Sequence, residues 1–308
     1  MPMQTKWVTY KKYSGFVVRG GPPIGNPVNS TMHTDRAVYL AGQLEAGAWG
    51  TVQGYDGCAI SGGILHNIAV SPADLSQGTF FALLRECIAR EKLATSEVVD
   101  ALSKVGWKVA QDGNLRVIST GALVSGSAIR LELSGSATGN VLKTGPDSLR
   151  AKAWAERFFR LFSNPATFAA QSDYAAAWLA GGNKGNELDF YARFMLRPID
   201  SIIGLRADAM PAEIELAMCV YHAFSVNAPG TAKGVLSPIS DKVQKLSNPA
   251  PAVFAAQLIR ALGKKQYGNW MDSPGDGSNR YDKTRKAVWA RSDLWDKTLA
   301  KQLMPVDL

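Results

Sequence analysis

The chain has 308 residues, 46% hydrophobic and 19% charged, and 34 Lys and Arg against 26 Asp and Glu leave a formal charge of +8. This is about twice a typical domain of roughly 150 residues, so the core can be substantial and a small disulfide-stapled fold is excluded. No stretch approaches the roughly 18 uninterrupted apolar residues of a membrane span, so a soluble protein without one is expected, while the basic balance favours polyanions in general without choosing among them.

Cys58, Cys87 and Cys219 are far apart, with no CxxC pair, and read as buried thiols. The opening MPMQTKWVTYKKYSG carries positive charge with no apolar run behind it. No secretory signal is therefore expected, and the protein should be made in the cytoplasm and reach any outside target by another route.

Taken in order, residues 1–33, which include RGGPPIGNPVNS, should form an irregular lead-in. Thr34 or Asp35 can then cap a helix whose Val38, Leu40 and Leu44 lie near one stripe, with Gly47 just past its end. Glu45 falls on its last turn. From Trp49 to Ile68, short β-type stretches flank Asp56-Gly57, a hairpin signal.

Residues 72–104 return to helical period, with Pro72 suited to a first turn and FFALLRECIA and SEVVDALS carrying apolar faces. Residues 105–140 read as a small β insertion of two or three strands, drawn from WKVAQDGNLRVIST and GALVSGSAIRLELSG, with a turn at Asp112-Gly113. Beyond Asp147 the text is helical, with starts at Asp147, Asn164-Pro165, Pro211 and Asn248-Pro249 and breaks at GGNKGN and PGDGSN. An α+β fold follows, with helix at least twice as abundant as strand.

The informative segment is LEAGAWGTVQGYDGCAISGGILH, which sets Glu45 at a helix end and Asp56 in the hairpin eleven residues on. Glycoside hydrolysis needs such a pair: one acid kept protonated to donate to the leaving oxygen, and one ionised group to steady the oxocarbenium-like centre or activate water. An apolar setting, supplied by Trp49 and the helix end, would raise the Glu45 pKa. On its own, a Glu and an Asp eleven apart is usually two solvated surface charges.

The segment as a whole resembles the lysozymes of tailed phages, the T-even type, where a short helix ends in Glu, a hairpin carries Asp, and a hydroxyl residue opens a glycine-rich stretch closing on His. The matching positions are Glu45, Asp56, Ser61, Gly62, Gly63 and His66. The resemblance implies Glu45 as general acid, Asp56 as the group that orients and activates water, and Ser61 as a hydroxyl that helps hold it. His66 would be a structural partner for a carboxylate. The Glu-to-Asp step is slightly longer than in the T-even enzyme, and Ser stands in place of Thr.

A second match lies downstream. MCVYHAFSVNAPG resembles the family's core helix, and Asn279, Arg280, Arg285, Arg291, Trp295 and Asp296 resemble its terminal signature, with a short insertion after Arg280. By this likeness Arg280 is a candidate partner of Glu45, while Trp49, Tyr55, Gln53 and Trp270 are candidates for binding or supporting the sugar. The resemblance covers roughly residues 34–68 and 210–300. It implies a lysozyme-like fold with a small β-hairpin lobe, a large helical lobe and a β-containing insertion, divided into a lead-in at 1–33, catalytic helix and hairpin at 34–68, an enlarged region of open role at 69–200, and a helical lobe at 201–308.

No GxxxxGK[ST], GxSxG, HExxH, Cys/His ligand set or EF-hand spacing occurs, so no cofactor, metal or nucleic-acid role is expected. The expected activity is that of a muramidase on the peptidoglycan glycan strand, acting at the cell wall after delivery, with a delivery or immunity protein as possible partner. Three other readings stay open: a lytic transglycosylase, a chitinase or chitosanase, and a non-catalytic virion or secretion component on the same scaffold.

Overall fold

The computed structural model describes residues 1–10, 13–24, 46–54, 57–90, 97–137 and 144–178, with parts of 38–43, 217–239 and 255–262. Of these residues 49% are helical and 19% extended, an α+β arrangement in which helix exceeds strand more than twofold. The chain divides into two compact units, one of Met1–Ile24 with Glu45–Ala175 and one of Gly25–Leu44 with Ala176–Leu308. The division thus falls inside the 69–200 segment and joins most of it to the hairpin region.

The first unit begins with two strands, β1 (Gln4–Tyr10) and β2 (Tyr13–Arg19), where an irregular lead-in was expected. The alternation of FVVR against KWVTY explains the difference. Thr5, Trp7, Phe16 and Val18 face one way, with Trp7 and Phe16 edge to face at 4.8 Å, while Lys6, Val8, Val17 and Arg19 face the other.

Three two-residue strands extend the sheet: β3 (Val52–Gln53), β4 (Ser61–Gly62) and β5 (Asn67–Ile68), in the antiparallel order β1-β2-β3-β4-β5. Gln53 pairs with Ser61, so Asp56-Gly57 belongs to a loop of seven residues, 54–60, rather than to a two-residue hairpin. Within it Ala59 has a left-handed backbone, with φ of 65°.

Helices α1 (Phe80–Arg90) and α2 (Glu97–Lys104) follow, α1 starting eight residues later than Pro72. Strands β6 (Trp107–Val109) and β7 (Leu115–Val117) make the expected hairpin around Asp112-Gly113. The next segment, expected to be strand, is instead helix α3 (Gly126–Ser134), because Ile129 and Leu133, four apart, are buried while Leu131 is exposed. Ser125 caps it by accepting a hydrogen bond from the Ala128 amide.

Helix α4 (Pro146–Phe162) carries Pro in its first turn and buries Trp154, Phe158, Phe159 and Phe162. A 3-10 turn (Pro165–Thr167), capped by Asn164, leads into α5 (Phe168–Ala177). Phe80 meets Phe158 and Phe162 edge to face at 4.7 and 5.5 Å, and this aromatic group sits at the centre of a core shared by α1–α4 and the sheet.

Helix α4 packs on β2, β3 and β4, and the Thr5 hydroxyl donates to Glu156 of α4 at 2.9 Å. The Thr5, Val18, Val52 and Gly62 face therefore closes on the core. In the second unit the described pieces are helical and bury Tyr221, Leu236, Leu258, Ile259 and Leu262. No helix among the described residues is long and apolar enough to cross a membrane. The starts at Pro211 and Asn248-Pro249 and the 279–296 signature lie outside the described residues.

Candidate active site

Because register partners share a face, the pairs Lys6 with Val17, Val17 with Gln53, Gln53 with Ser61 and Ser61 with Ile68 set one row of side chains across the sheet on the side away from α4. Strands lie about 4.8 Å apart, so Ser61 is about 10 Å from Val17 across two spacings. Gln53 and Ser61, both singled out from sequence, are thereby brought side by side. Ser61 is buried at 1% exposure.

His66 joins this row from the β4–β5 turn. The Gln53 amide nitrogen lies 3.3 Å from Nδ1 and 3.5 Å from Nε2, so the partner found for this ring is an amide where the family likeness implies a carboxylate. Burial, and secondarily the charge of Arg19, push the imidazole down to about 4 from 6.5. It is neutral at pH 7 and keeps a lone pair to accept from Gln53; an imidazolium would have none.

The turn that carries His66 is fixed from below. Gln171 of α5, fully buried, accepts from the Ile64 amide at 3.2 Å and donates to the Phe162 carbonyl at 2.8 Å. Gly63 has φ of +75° and a Cβ there would sit 2.5 Å from Leu83, so the glycine-rich SGG is required by both conformation and space.

Glu45, Tyr55, Asp56 and Arg280 lie outside the described residues, but the residue after Glu45 and the residues flanking the Tyr55–Asp56 pair are held. The Thr51 hydroxyl donates to the Ala46 carbonyl at 2.7 Å, tying the residue after Glu45 to the start of β3. Gly54 donates to the Phe16 carbonyl at 2.9 Å, and the buried Arg130 of α3 donates to the Gly57 carbonyl. The Tyr55–Asp56 pair is thus bracketed by two anchors.

Trp49 is placed differently from a sugar platform. It is 4% exposed and stacks on Phe168 at 4.4 Å with rings 10° apart, which assigns it to packing beneath the 46–51 turn. Sequence reasoning missed Arg19, Lys6, Thr51, Arg130 and Gln171 altogether. The first two had a signal, the period-two alternation on either side of KKYSG.

Comparison of the chain with protein-family models, with curated proteins and with solved structures finds no match in any of the three.

Proposed function

We propose that the protein is a peptidoglycan hydrolase of lysozyme-like architecture, a muramidase cleaving the β-1,4 bond between N-acetylmuramic acid and N-acetylglucosamine, with inversion and without a cofactor. The observation that carries this reading is the Glu45–Asp56–Ser61–His66 spacing with its likeness to the tailed-phage lysozymes. The register of Gln53 against Ser61 supports it: positions 54–60, which include Asp56, connect two polar residues paired on the sheet face away from α4.

In this reading Glu45 donates its proton to the leaving oxygen as the glycosidic bond breaks. Asp56, ionised, takes a proton from the water that attacks the opposite face of the sugar. The two carboxyl groups then stand about 6.5 to 9.5 Å apart, leaving room for that water. Ser61 and Gln53 supply the neutral polar wall beside it, and neutral His66 keeps Gln53 oriented without adding charge. Delivery to the wall depends on another component.

The test is digestion of purified sacculi, followed by reducing ends released. Wild-type protein releases them and Glu45→Gln does so at least 100-fold more slowly, since an amide cannot supply the proton. Activity of Glu45→Gln above a tenth of wild type removes the proposal, and anhydro-muramyl ends transfer it to a lytic transglycosylase.

A further inference from the structure

On the buried side of α3, with Ile129 and Leu133, lies a cation: Arg130 is only 7% exposed, and its Nη2 donates to the Gly57 carbonyl. In a guanidinium the Nε and Nη2 hydrogens form a parallel fork, so Nε–H is directed to that same flank. There Nε is buried and meets no acceptor. Among the described residues no carboxylate makes an ion pair with Arg130 either. A cation in this position is costly, because burial has stripped its water and the neutral Gly57 carbonyl does not replace a counter-charge.

The flank that the fork faces is hollow. Arg130 lines a cavity of about 10 Å³ together with Tyr13 and Ser14 of β2 and Gly54, Gly57 and Ala59 of the 54–60 loop. This is room for one water-sized guest, which excludes phosphate, sulfate and the carboxylate end of a larger ligand. A water would give Nε its acceptor and leave the charge uncompensated. A monatomic anion does both. The Ser14 hydroxyl adds a donor: it lies 2.9 Å from the Thr9 hydroxyl, and with Thr9 donating, its own hydrogen can turn to the guest.

We infer that Arg130 and this cavity form a site for a single halide ion, chloride under ordinary conditions, held between α3, the start of β2 and the 54–60 loop. The ion neutralises the buried guanidinium and clasps the loop to α3, so the stability of this unit depends on chloride. The inference does not rest on the muramidase reading, and nothing in its test requires turnover.

The experiment exchanges sodium gluconate for sodium chloride at constant ionic strength, so that screening is unchanged and only the anion varies. The full wild-type chain should gain thermal stability along a saturating curve, by roughly 3 °C once chloride reaches ten times its Kd. Bromide should replace chloride, and sulfate should not. The chloride NMR line should broaden in the presence of the protein and sharpen again when bromide is added. Arg130→Met should lose at least tenfold in chloride affinity, while Asp56→Asn, which removes the one acidic residue of 54–60, should keep it within twofold. If Arg130→Met does not fold, wild-type crystals grown in bromide decide: an anomalous peak within about 3.5 Å of the Arg130 Nε is expected, and its absence there overturns the inference. A response that does not saturate, an equal response to sulfate, or chloride affinity retained by Arg130→Met also overturns it, as does a response seen in Asp56→Asn and not in wild type, which would make Asp56 the counter-charge.

Discussion

His66 gives the sharpest quantitative test of the site's electrostatics. Its folded pKa of about 4 lies below the ordinary 6.5, chiefly through burial and then through Arg19. The unfolded chain therefore binds the proton more tightly, and stability is fully present above pH 6.5 and drains away as pH falls from 6.5 towards 4. A shift of this size corresponds to about 3 kcal/mol when fully expressed. Because His66 keeps some solvent contact, screening trims the effect, and about 2 kcal/mol should be lost by pH 4.5. The carboxylates that are held low, Asp74 at about 2 by hydrogen bonds from Ser76, Asp112 by Arg116 and Glu97 by Arg160, begin to lose their contribution from about pH 5 downward, and because they are common to wild type and a His66 variant the difference between the two curves isolates the imidazole. Urea unfolding at pH 7.0, 5.5 and 4.5 for wild type and His66→Gln measures it. The variant should show a curve flatter by about 2 kcal/mol over that span. Parallel curves within about 0.5 kcal/mol, the usual uncertainty of such extrapolations, would refute the reasoning.

Three further outcomes follow from the anchors around the site. Gly57 has φ of +71° and its Cβ would meet the Tyr13 ring at 2.6 Å, so Gly57→Ala should destabilise by about 1 to 3 kcal/mol in thermal melts and loosen the Asp56 loop enough to lower activity. Phe158→Ala empties the centre of the aromatic cluster and should cost about 3 to 5 kcal/mol by denaturant titration. Arg130→Met leaves the buried Gly57 carbonyl without its donor; protection of the 54–60 amides in hydrogen exchange should fall while that of α4 is kept.

Much of the first unit was legible because its signals are local. FFALLRECIA, SEVVDALS and the Pro146–Phe162 segment carry clear helical periods, the last with Pro in its first turn, and Asp112-Gly113 fixes its hairpin, although Pro72 does not start the first of these helices. The misses have physical causes. Gly and Pro between residues 20 and 27 coloured the reading of two strands that precede them, although alternation in KWVTY and FVVR was visible. In GALVSGSAIRLELSG, Ile129, Leu131 and Leu133 satisfy a period of two as well as of four, and burial against α4 decided for helix. At the site, Gln53 opposite Ser61 depends on a seven-residue loop whose length the Asp-Gly signal did not reveal. Arg19 and Lys6 were marked only by the period-two alternation of their strands, while Arg130 and Gln171 reach their places through long-range contacts, for which a single sequence holds no direct mark.

The central claim, inverting hydrolysis by Glu45 and Asp56, is tested most directly by following the anomeric proton of the newly released muramyl reducing end by NMR while sacculi or a peptidoglycan oligomer are digested. Inversion at a β-1,4 bond gives the α anomer first, with mutarotation to the mixture afterwards, and Asp56→Asn should nearly abolish the signal. A β anomer formed first, or anhydro sugars with Asp56→Asn still active, would contradict the account.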